Sequence, residues 1–365
     1  MKILIVSSYL PFPLYSGGHI RLYNLIKNLS GENEITLVCE KRDYQTNQDI
    51  DEVKKICKRV VTVRRKKQWT IGNVLKAGFS LNSFLTIGHS SEEMKNLIRD
   101  ELVKEAFDLI HVETFYILQN LPARIAKQSV AGGPKVNIPI VLVEHNVEYM
   151  VYKRYTDLVS PILKPFLLLD VIKIKKAEEE AWKRVTKLVA VSNLERKLMK
   201  RSDTAVIPNG VDTEKFAFRS FEGANAEKRV LFIGDFKWLQ NRDSLEFILK
   251  EIWPKVKKEL TLLNKNIDLK LWIVGRNLPD SFKQYLAKDI IFDENNKQET
   301  QIIFKRSLIL LAPLRAAGGT SYKILEAMSS GVGIVTTNLG IEGLEAKNGV
   351  HVLAAETSVE LANCF

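Results

Sequence analysis

Short apolar runs alternate with amphipathic stretches along most of the chain. The runs predict buried strands, and the stretches between them have the spacing of helices with one buried face. This alternation is typical of βαβ units built on a parallel sheet. Helices are predicted notably at 18–30, 91–105 and 166–185. The predicted strands of the first half are 2–7, 34–39, 60–63, 108–113, 138–144, 187–192 and 205–208.

The alternation stops once and then resumes. Residues 209–228 are polar and lack sustained periodicity, so we interpret them as an interdomain linker. The chain is therefore predicted to be an α/β protein with two doubly wound domains, 1–208 and 229–365, and a ligand cleft between them. Because 358–365 starts a helix that ends almost at once, the second domain is expected to be incomplete. The strands of the second series are 229–234, 269–275, 289–292, 308–313, 333–337 and 350–353.

Composition fits a cytoplasmic, two-domain globular protein. The chain has 365 residues, of which 45% are hydrophobic and 27% are charged. Its opening apolar run is too short for a signal peptide, and its densest one, 166–172, is interrupted by Asp170. Three cysteines without metal-ligand spacing fit a reducing compartment. The five histidines form no H-x-x-x-H pair, so no metal site is expected.

Positive charge is concentrated in the first half. Residues 1–210 hold 33 Lys and Arg against 23 Asp and Glu, whereas the remainder is nearly neutral. The cluster 173–184 includes three consecutive glutamates and is best interpreted as a solvated helix face. For the cluster 54–67, an anionic membrane face or a phosphorylated acceptor competes evenly with a solvated surface. Nucleic acid is not expected as a partner, because aromatic and basic residues are not interleaved.

The segment 312–331, APLRAAGGTSYKILEAMSSG, carries the clearest candidate chemistry. It runs from the end of a predicted strand through a glycine turn into a helix, at the sheet edge where open α/β folds bind ligands. Gly318 and Gly319 let the backbone approach an anion. Thr320 and Ser321 can cap the helix, and its free N–H groups favour a phosphate.

Two further residues extend this pattern into the helix. Lys323 adds a positive charge near the expected phosphate. Glu326 lies six residues beyond Thr320 and could accept two hydrogen bonds from a vicinal diol such as a ribose. Together they favour a nucleoside diphosphate as ligand. Spacing alone leaves open an ordinary helix cap followed by a surface glutamate.

The block 313–344 resembles the donor-binding segment of GT-B glycosyltransferases of family 4. The resemblance implies two Rossmann-like domains, a nucleotide-diphosphate sugar donor, and transfer with retained configuration that requires neither a metal nor a protein nucleophile. It also implies a glycan, lipid-linked or other small acceptor, in cell-surface polysaccharide or glycolipid synthesis at the inner face of the membrane. Further matching pieces are 16–29, 107–113, 143–154, 190–199, 206–216 and 231–247.

The resemblance assigns the donor contacts. It implies that Glu326 binds the ribose and that the turn 318–321 holds the diphosphate. Many members carry a glutamate eight residues before that position, where this chain has Gly318. The identity of the donor sugar therefore stays open.

The resemblance also implies cations that neutralise the leaving diphosphate. Asp235 stands where an arginine is commonest, so Lys237 or Arg242 would have to serve. Arg276, at a predicted strand end, and Arg315, before the glycine turn, are further candidates.

In the first domain the resemblance places a glycine loop near the donor phosphate and the acceptor. Gly17 and Gly18 open a helix there, with Arg21 one turn further on; a plain tight turn is the alternative. His145, at a strand end, matches a position near the donor sugar, although a lone histidine is often structural. Glu113 ends another strand and is a lesser candidate.

Other classes fit less well. A dinucleotide-binding oxidoreductase could use Glu40, but the loop 7–21 lacks G-x-G-x-x-G. A metal-dependent GT-A transferase could use the D-x-D triplet 49–51, which we interpret as a helix cap. A same-fold epimerase and a catalytically silent, membrane-associated nucleotide-sugar binder remain alternatives. Acceptor-dependent turnover would separate a transferase from both.

Overall fold

The computed structural model describes residues 1–122, 126–127, 136–157, 159–218, 228–263, 267–294, 296, 298–316 and 318–365. Two compact units comprise Met1–Pro208 and Asn209–Phe365. Each unit contains a parallel β-sheet together with helices, so each is described separately below.

The first unit is built on a seven-stranded parallel sheet of order β3-β2-β1-β4-β7-β8-β9. The remaining two strands form a short antiparallel pair that the sequence pattern does not predict. The strands are β1 (Lys2–Ser7), β2 (Glu34–Lys41), β3 (Arg59–Arg64), β4 (Leu109–Glu113), β5 (Ala126–Lys127), β6 (Val136–Asn137), β7 (Ile140–Val143), β8 (Lys187–Ala190) and β9 (Ala205–Val206).

Helices connect these strands as the βαβ pattern predicts. The three helices predicted at 18–30, 91–105 and 166–185 are present, each with bounds within two residues of the prediction. The helices of the first unit are α1 (Gly17–Leu29), α2 (Asn47–Lys54), α3 (Ile71–Phe79), α4 (Phe84–Gly88), α5 (Glu92–Lys104), α6 (Phe115–Leu118), α7 (Glu148–Thr156), α8 (Lys164–Arg184) and α9 (Asn193–Met199).

Side chains of β1 alternate between two buried layers, because successive residues of a strand point to opposite faces. Leu4 and Val6 pack in the layer that also contains Trp182 of α8. Ile3 and Ile5 pack in the layer that contains Leu22 of α1. Burial on both faces explains why the strands are continuous apolar runs instead of alternating ones.

The second unit has a six-stranded parallel sheet of order β12-β11-β10-β13-β14-β15. Counted within the unit, this order is 3-2-1-4-5-6, as in Rossmann-like folds. The strands are β10 (Lys228–Asp235), β11 (Leu269–Arg276), β12 (Ile290–Glu294), β13 (Ile309–Ala312), β14 (Gly333–Thr336) and β15 (Leu353–Ala354). The α-helices are α10 (Leu239–Phe247), α11 (Trp253–Leu262), α12 (Thr300–Lys305), α13 (Tyr322–Ser329) and α14 (Ser358–Asn363).

Strand order reverses direction between β1 and β4 in the first unit and between β10 and β13 in the second. Open parallel sheets bind ligands at the carboxyl ends of the strands that flank such a point. The candidate residues should therefore be sought there in each unit.

The beginning of the predicted linker belongs to the second unit. Phe216 is buried against Phe304 of α12, with ring centroids 6.0 Å apart. Its carbonyl accepts a hydrogen bond of 2.7 Å from Ser329 Oγ in α13. The remaining predicted linker positions 219–227 lie outside the described residues.

Candidate functional site

In the second unit, α13 begins directly after the glycine turn that follows β13. Gly319 has φ +66°, a left-handed conformation that favours glycine. Ser321 occupies the N-cap position, but its side chain makes no capping hydrogen bond with the described residues. Thr320 Oγ1 instead accepts a 2.6 Å hydrogen bond from Asn209 Nδ2. The expected hydroxyl cap is thus not formed, and the Ser321 carbonyl accepts from Ile324 N and Leu325 N at 3.2 and 3.3 Å as the helix begins.

Glu326 lies on the buried side of α13, with only 8% of the residue exposed. Within the described chain, no hydrogen bond reaches its carboxylate. Burial raises the pKa of Glu326 to about 7, against the opposing charges of Lys215 and Lys323. The interpretation of this residue as a surface glutamate is therefore wrong. It is a buried carboxyl group whose acceptor capacity is uncommitted.

Lys323 joins the start of α13 to the end of β10. Its Nζ donates to the carbonyl of Ile233 at 2.8 Å and to Asn241 Oδ1 at 3.1 Å. Burial lowers the pKa of Lys323 to about 8. A Cβ at Gly234 would lie 2.8 Å from the Asn241 side chain, so only glycine lets Asn241 come this close. These contacts hold α13 against the strand at the switch point.

Asn209, in the sequence PNGVD of the matching piece 206–216, contacts both sides of the helix start. Its Nδ2 donates to Thr320 Oγ1, and its Oδ1 accepts from Tyr322 Oη at 3.3 Å. The amide group therefore links the glycine turn to the first residue of the helix. Two pieces that resemble the family, 206–216 and 313–344, therefore meet at this point.

Asp235, at the carboxyl end of β10, contacts two of the candidate cations. Lys237 Nζ lies 3.1 Å from its Oδ2, and Arg276 Nη2 lies 3.5 Å from the same oxygen. Asn277 Nδ2 donates to Oδ1 at 2.8 Å. Burial disfavours the charged form, but the hydrogen bonds from Asn277 and Lys237 and the Lys237 charge lower the pKa of Asp235. Both cations are therefore shared with an ionised acid.

The other two candidate cations differ from each other. Arg315 forms a bidentate pair with Asp243, with distances of 3.0 and 2.6 Å, and lies over the Phe247 ring. Arg242, in the first turn of α10, has a buried Nε without a hydrogen bond. Its guanidinium forms no ion pair with any residue in the described ranges. Arg242 is thus the more available cation of the two.

In the first unit, His145 follows β7 and contacts the end of β4. Its Nε2 contacts Glu113 Oε2, and His111 Nε2 lies 2.5 Å from Glu113 Oε1. Glu113 is fully buried. Burial opposes ionisation, but the charge of His145 and the hydrogen bonds from both histidines lower the pKa of Glu113 well below its usual range. Glu113 therefore positions His145 and is not itself exposed to a ligand.

Tyr9, just after β1, connects His145 to the glycine loop. Its Oη lies 3.5 Å from His145 Nε2 and donates to the carbonyl of Gly18 at 3.3 Å. A Cβ at Gly18 would lie 3.1 Å from the same Oη, so glycine permits this approach. Gly17 and Gly18 are the first two residues of α1, as predicted. The loop thus has a close-packing role beyond that of a plain turn.

Arg21 is placed differently from the expectation that it faces an acceptor or phosphate. It is 7% exposed and donates from Nη1 to the Pro208 carbonyl at 3.1 Å and from Nη2 to the Ile207 carbonyl at 2.9 Å. Its guanidinium is thus engaged by the backbone that follows β9. This contact holds the last residues of the first unit against α1.

A group of buried acids fixes the loop that carries His145. Glu144 accepts from Phe115 N at 3.2 Å and from Trp182 Nε1 at 3.1 Å. Glu178 of α8 accepts from the N–H of Glu148 at 2.8 Å, at the start of α7. Burial raises the pKa values of Glu144 and Glu178, and raises that of Glu148 to about 7. The loop is therefore held from both ends.

Two family models match the chain over these two units. The model described as Glycosyltransferase Family 4 matches residues 15–215, more than half of the chain. The model described as Glycosyl transferases group 1 matches residues 227–365. The chain belongs to glycosyltransferase family 4. It is therefore a glycosyltransferase, as the resemblance implied.

Similar proteins support the assignment of the fold. An uncharacterised 44.6 kDa protein in the cps region of Klebsiella pneumoniae is 24% identical over 373 residues, covering 99% of this chain and 89% of the relative. Anabaena HepE, crystallised with UDP and glucose, has a TM-score of 0.62 at 13% identity, covering 100% of this chain and 88% of HepE. TarM has a TM-score of 0.63 at 11% identity, covering 100% and 90%. This glycosyltransferase thus has the predicted GT-B class of fold, with two Rossmann-like domains.

Several site residues of this glycosyltransferase were not assigned from the sequence. Tyr9 and His111, the latter within the matching piece 107–113, were not singled out, and they join the site because β1 and β4 are neighbours in the sheet. Asn209 stood in a recognised motif, but its contact with Thr320 requires the folded second unit. A search of the strand ends would have found Tyr9 and His111, since both lie at or near a carboxyl end.

The residues that an oxidoreductase or a GT-A transferase would have used have other roles in the structure. Glu40 is buried and paired with Arg65, so it does not offer a free acid for a ribose. Asp49 accepts from Thr46 N in a capping box, as the interpretation of the D-x-D triplet predicted. No group of three or more possible metal ligands occurs among the described residues. In the same part of the chain, no helix is long and apolar enough to cross a bilayer.

Proposed function

We propose that this glycosyltransferase moves a sugar from a nucleotide-diphosphate sugar to a glycan or lipid-linked acceptor, with retained configuration and without a metal. The observation that carries the proposal is the buried and unpaired carboxyl group of Glu326, one and a half turns past a glycine-rich helix start. HepE, which was crystallised with UDP and glucose, has a similar fold and supports this class of donor.

The donor would bind along α13. The N–H groups of the first turn and the helix dipole would hold the diphosphate, because both favour an anion. Glu326 would accept hydrogen bonds from the two ribose hydroxyls, which would supply the partners that its carboxylate lacks in the free protein. Asn209 would keep the glycine turn in the conformation that aims these donors.

Bond cleavage would build negative charge on the diphosphate as the anomeric C–O bond breaks. Fixed backbone dipoles and nearby cations can stabilise that charge. Arg242 is the candidate without a partner among the described residues, and Lys237 and Arg276 could turn from Asp235 to the phosphate. This supply of positive groups supports a reaction that does not depend on a metal.

The acceptor hydroxyl would attack from the same face that the diphosphate leaves. Its oxygen forms the new bond to the anomeric carbon, and its proton passes to the departing phosphate oxygen. The sugar then keeps its configuration, and no protein nucleophile is needed. His145, held by Glu113 and next to Tyr9, would contact the donor sugar during this step.

The cellular role follows from the acceptor class. We place the reaction in cell-surface polysaccharide or glycolipid synthesis, in the cytoplasm at the membrane face. The relative in a cps region of Klebsiella pneumoniae supports this placement.

The test combines donor binding with turnover. A panel of nucleotide sugars is screened by thermal shift, and the best donor is measured by calorimetry on the wild type and on Glu326→Ala. We expect the Kd to rise about 100-fold, because two hydrogen bonds to a charged group are lost. Glu246→Ala removes an exposed acid from α10 and serves as the matched control.

Three outcomes would contradict the proposal. Wild-type donor affinity in Glu326→Ala, with the fold intact by circular dichroism, would remove the ribose assignment. Tight donor binding without acceptor-dependent release of the nucleoside diphosphate, across glycan and lipid-linked acceptors, would instead indicate the catalytically silent binder. Inversion at the anomeric carbon of the product would overturn the retaining mechanism.

A further inference from the structure

An apolar helix, α3, lies exposed on the first unit, and none of its residues belongs to the candidate site. No residue of α3 is buried. Trp69, Ile71 and Phe79 are 78%, 82% and 91% exposed, and Leu75 is 55% exposed. Ile71, Leu75 and Phe79 are spaced by four residues, so they lie on one face of the helix. Soluble proteins rarely expose so much apolar surface in one place without a partner.

The first half of α8 continues this surface. Phe166, Leu169 and Ile172 are 72%, 59% and 64% exposed and follow one another at intervals of three residues. The two helices are neighbours, because Lys173 Nζ of α8 donates to the Ala77 carbonyl of α3 at 2.6 Å. The α3–α8 face is defined here by Trp69, Ile71, Leu75, Phe79, Phe166, Leu169 and Ile172.

Positive charge borders the α3–α8 face. Residues 53–91 contain nine Lys and Arg and no Asp or Glu. Most cations of the cluster 54–67 are neutralised in the fold; for example, Lys54 pairs with Asp51 and Lys55 with Glu52. Lys66, Lys67 and Lys76 are exposed and form no ion pair in the described part of the chain. The available positive charge therefore lies beside α3.

We propose that the α3–α8 face inserts into the surface of an anionic lipid bilayer, with Lys66, Lys67 and Lys76 contacting the headgroups. An amphipathic helix with aromatic and aliphatic side chains on one side and lysines at its border has the composition of interfacial helices. Lysines near an anionic surface add electrostatic attraction. This inference moves the expected membrane contact from the paired cluster 54–67 to α3 and α8.

Charge complementarity favours a bilayer over a second copy of the chain. An isologous dimer through this face would place the same lysines of both copies near each other. Like charges at such a contact are unfavourable, whereas anionic headgroups neutralise them. The inference concerns where the protein binds and does not depend on the proposed sugar transfer.

The main experiment measures sedimentation with vesicles made of equal parts phosphatidylglycerol and phosphatidylcholine. Ile71→Ser/Phe79→Ser should lower the partition coefficient about tenfold or more, because two exposed apolar side chains no longer enter the membrane. Val103→Ser, at an 83% exposed position of α5 in the same unit, is the matched control and should bind like the wild type. Circular dichroism and the thermal unfolding midpoint should be unchanged in both variants, which shows that they are folded.

Two further measurements separate charge and depth. Lys66→Gln/Lys67→Gln should weaken binding about 30-fold, whereas Lys54→Gln/Lys55→Gln should change it little, because those lysines are already paired. Trp69 is the most exposed of the five tryptophans. Brominated lipids should therefore quench wild-type fluorescence, and Trp69→Phe should lose most of that quenching.

The opposite results would overturn the inference. It fails if Ile71→Ser/Phe79→Ser sediments with the vesicles like the wild type. It also fails if the wild type does not bind vesicles but forms an oligomer in light scattering, and Ile71→Ser/Phe79→Ser is monomeric. That result would identify the face as a self-association surface. Equal binding to pure phosphatidylcholine would remove the role given to the lysines.

Discussion

Each unit buries an acid, Glu113 at the end of β4 and Glu326 within α13, but the two are in opposite situations. Glu113 is fully buried, and both of its carboxylate oxygens contact histidines. Glu326 is 8% exposed, and nothing among the described residues donates to it. The pKa of Glu113 is accordingly lowered by its histidine partners, whereas burial raises that of Glu326 to about 7.

This difference separates two uses of a buried carboxyl group. A satisfied acid fixes its neighbours, because moving them would leave a charge buried and unpaired. An unsatisfied buried group costs about 1–3 kcal/mol, so a ligand that supplies the missing partners regains that free energy. Glu113 is therefore interpreted as a positioning residue, and Glu326 as a residue that binds.

The largest effect on activity within this comparison is expected at His145 in the first unit. Replacing His145 with Ala should lower kcat about 100-fold, as is usual when a positioned polar group is lost from an active site. Glu113→Gln should lower kcat about tenfold, because the histidine remains but loses its charged partner. Donor Kd should change much less than kcat in both variants, because the proposed contact of His145 with the donor sugar is made during the transfer step.

Steady-state kinetics with the identified donor and acceptor would measure these effects. The control is His351→Ala, which removes a histidine from the second unit. If His145→Ala kept wild-type kcat, the network around Glu113 would be structural only. If Glu113→Gln were more damaging than His145→Ala, Glu113 would have a role beyond positioning.

The pH dependence of donor binding sharpens the contrast. The ionised form of Glu326 would accept the two proposed hydrogen bonds from the ribose, so donor affinity should rise about eightfold between pH 6 and pH 7.5, through a pKa of about 7. This range stays below the Lys323 pKa of about 8. Calorimetry at the two pH values would measure it, and Glu326→Gln should flatten the profile.

Stability of the free protein should move the other way. A carboxyl whose pKa is raised on folding contributes stability that is present below its unfolded value of 4.5 and is lost as pH rises through about 7. The free second unit should therefore weaken over the range in which donor binding strengthens. Parallel trends in stability and affinity would show that another group controls binding.

Much of this architecture could be predicted from the sequence, because it depends on local patterns. Apolar runs gave the strands of both sheets, and the turn before Tyr322 located the helix start. Contacts between segments that are distant in the sequence could not be predicted from it. The pairings of Asp235 with Lys237 and Arg276, and of Arg21 with the Pro208 carbonyl, depend on which strand ends become neighbours.

The exposed side of α3 illustrates the same limit. Its apolar spacing is that of a helix that packs against a core, and only the fold shows that the side chains face outward. Likewise, the sequence counts the cations of 54–67, but only the structure shows that Lys54 and Lys55 are neutralised by nearby acids. The charge content of a sequence predicts a basic surface. Only the ion pairs in the structure show which of its lysines and arginines remain available to a partner.

A smaller effect is expected at Asn209, which supports the binding site of the second unit without contacting Glu326. Asn209→Ala removes the hydrogen bonds to Thr320 and Tyr322. Loss of about 1 kcal/mol of support for the turn should weaken donor binding about fivefold. Calorimetry would measure this, with Asn363→Ala, an exposed position in α14, as the control. An unchanged Kd would mean that the turn holds its shape without this amide.

The smallest expected effect has the opposite sign. Under the proposed function, Asp235 would compete with the donor diphosphate for Lys237 and Arg276, which it contacts in the free protein. Asp235→Asn keeps an acceptor for the Lys237 and Asn277 N–H groups but removes the negative charge, so donor affinity should rise about threefold at low salt. The gain should fade as salt rises, because these cations are partly exposed.

Asp268→Asn is the matched control, since it removes an acid from the same unit that is 85% exposed and pairs with Lys270. It should leave the Kd unchanged. A loss of affinity in Asp235→Asn would mean that Asp235 holds its two cations in the orientation that binds phosphate. The second unit would then contain a satisfied, positioning acid of the Glu113 kind beside its unsatisfied one, and the contrast would lie between residues instead of between units.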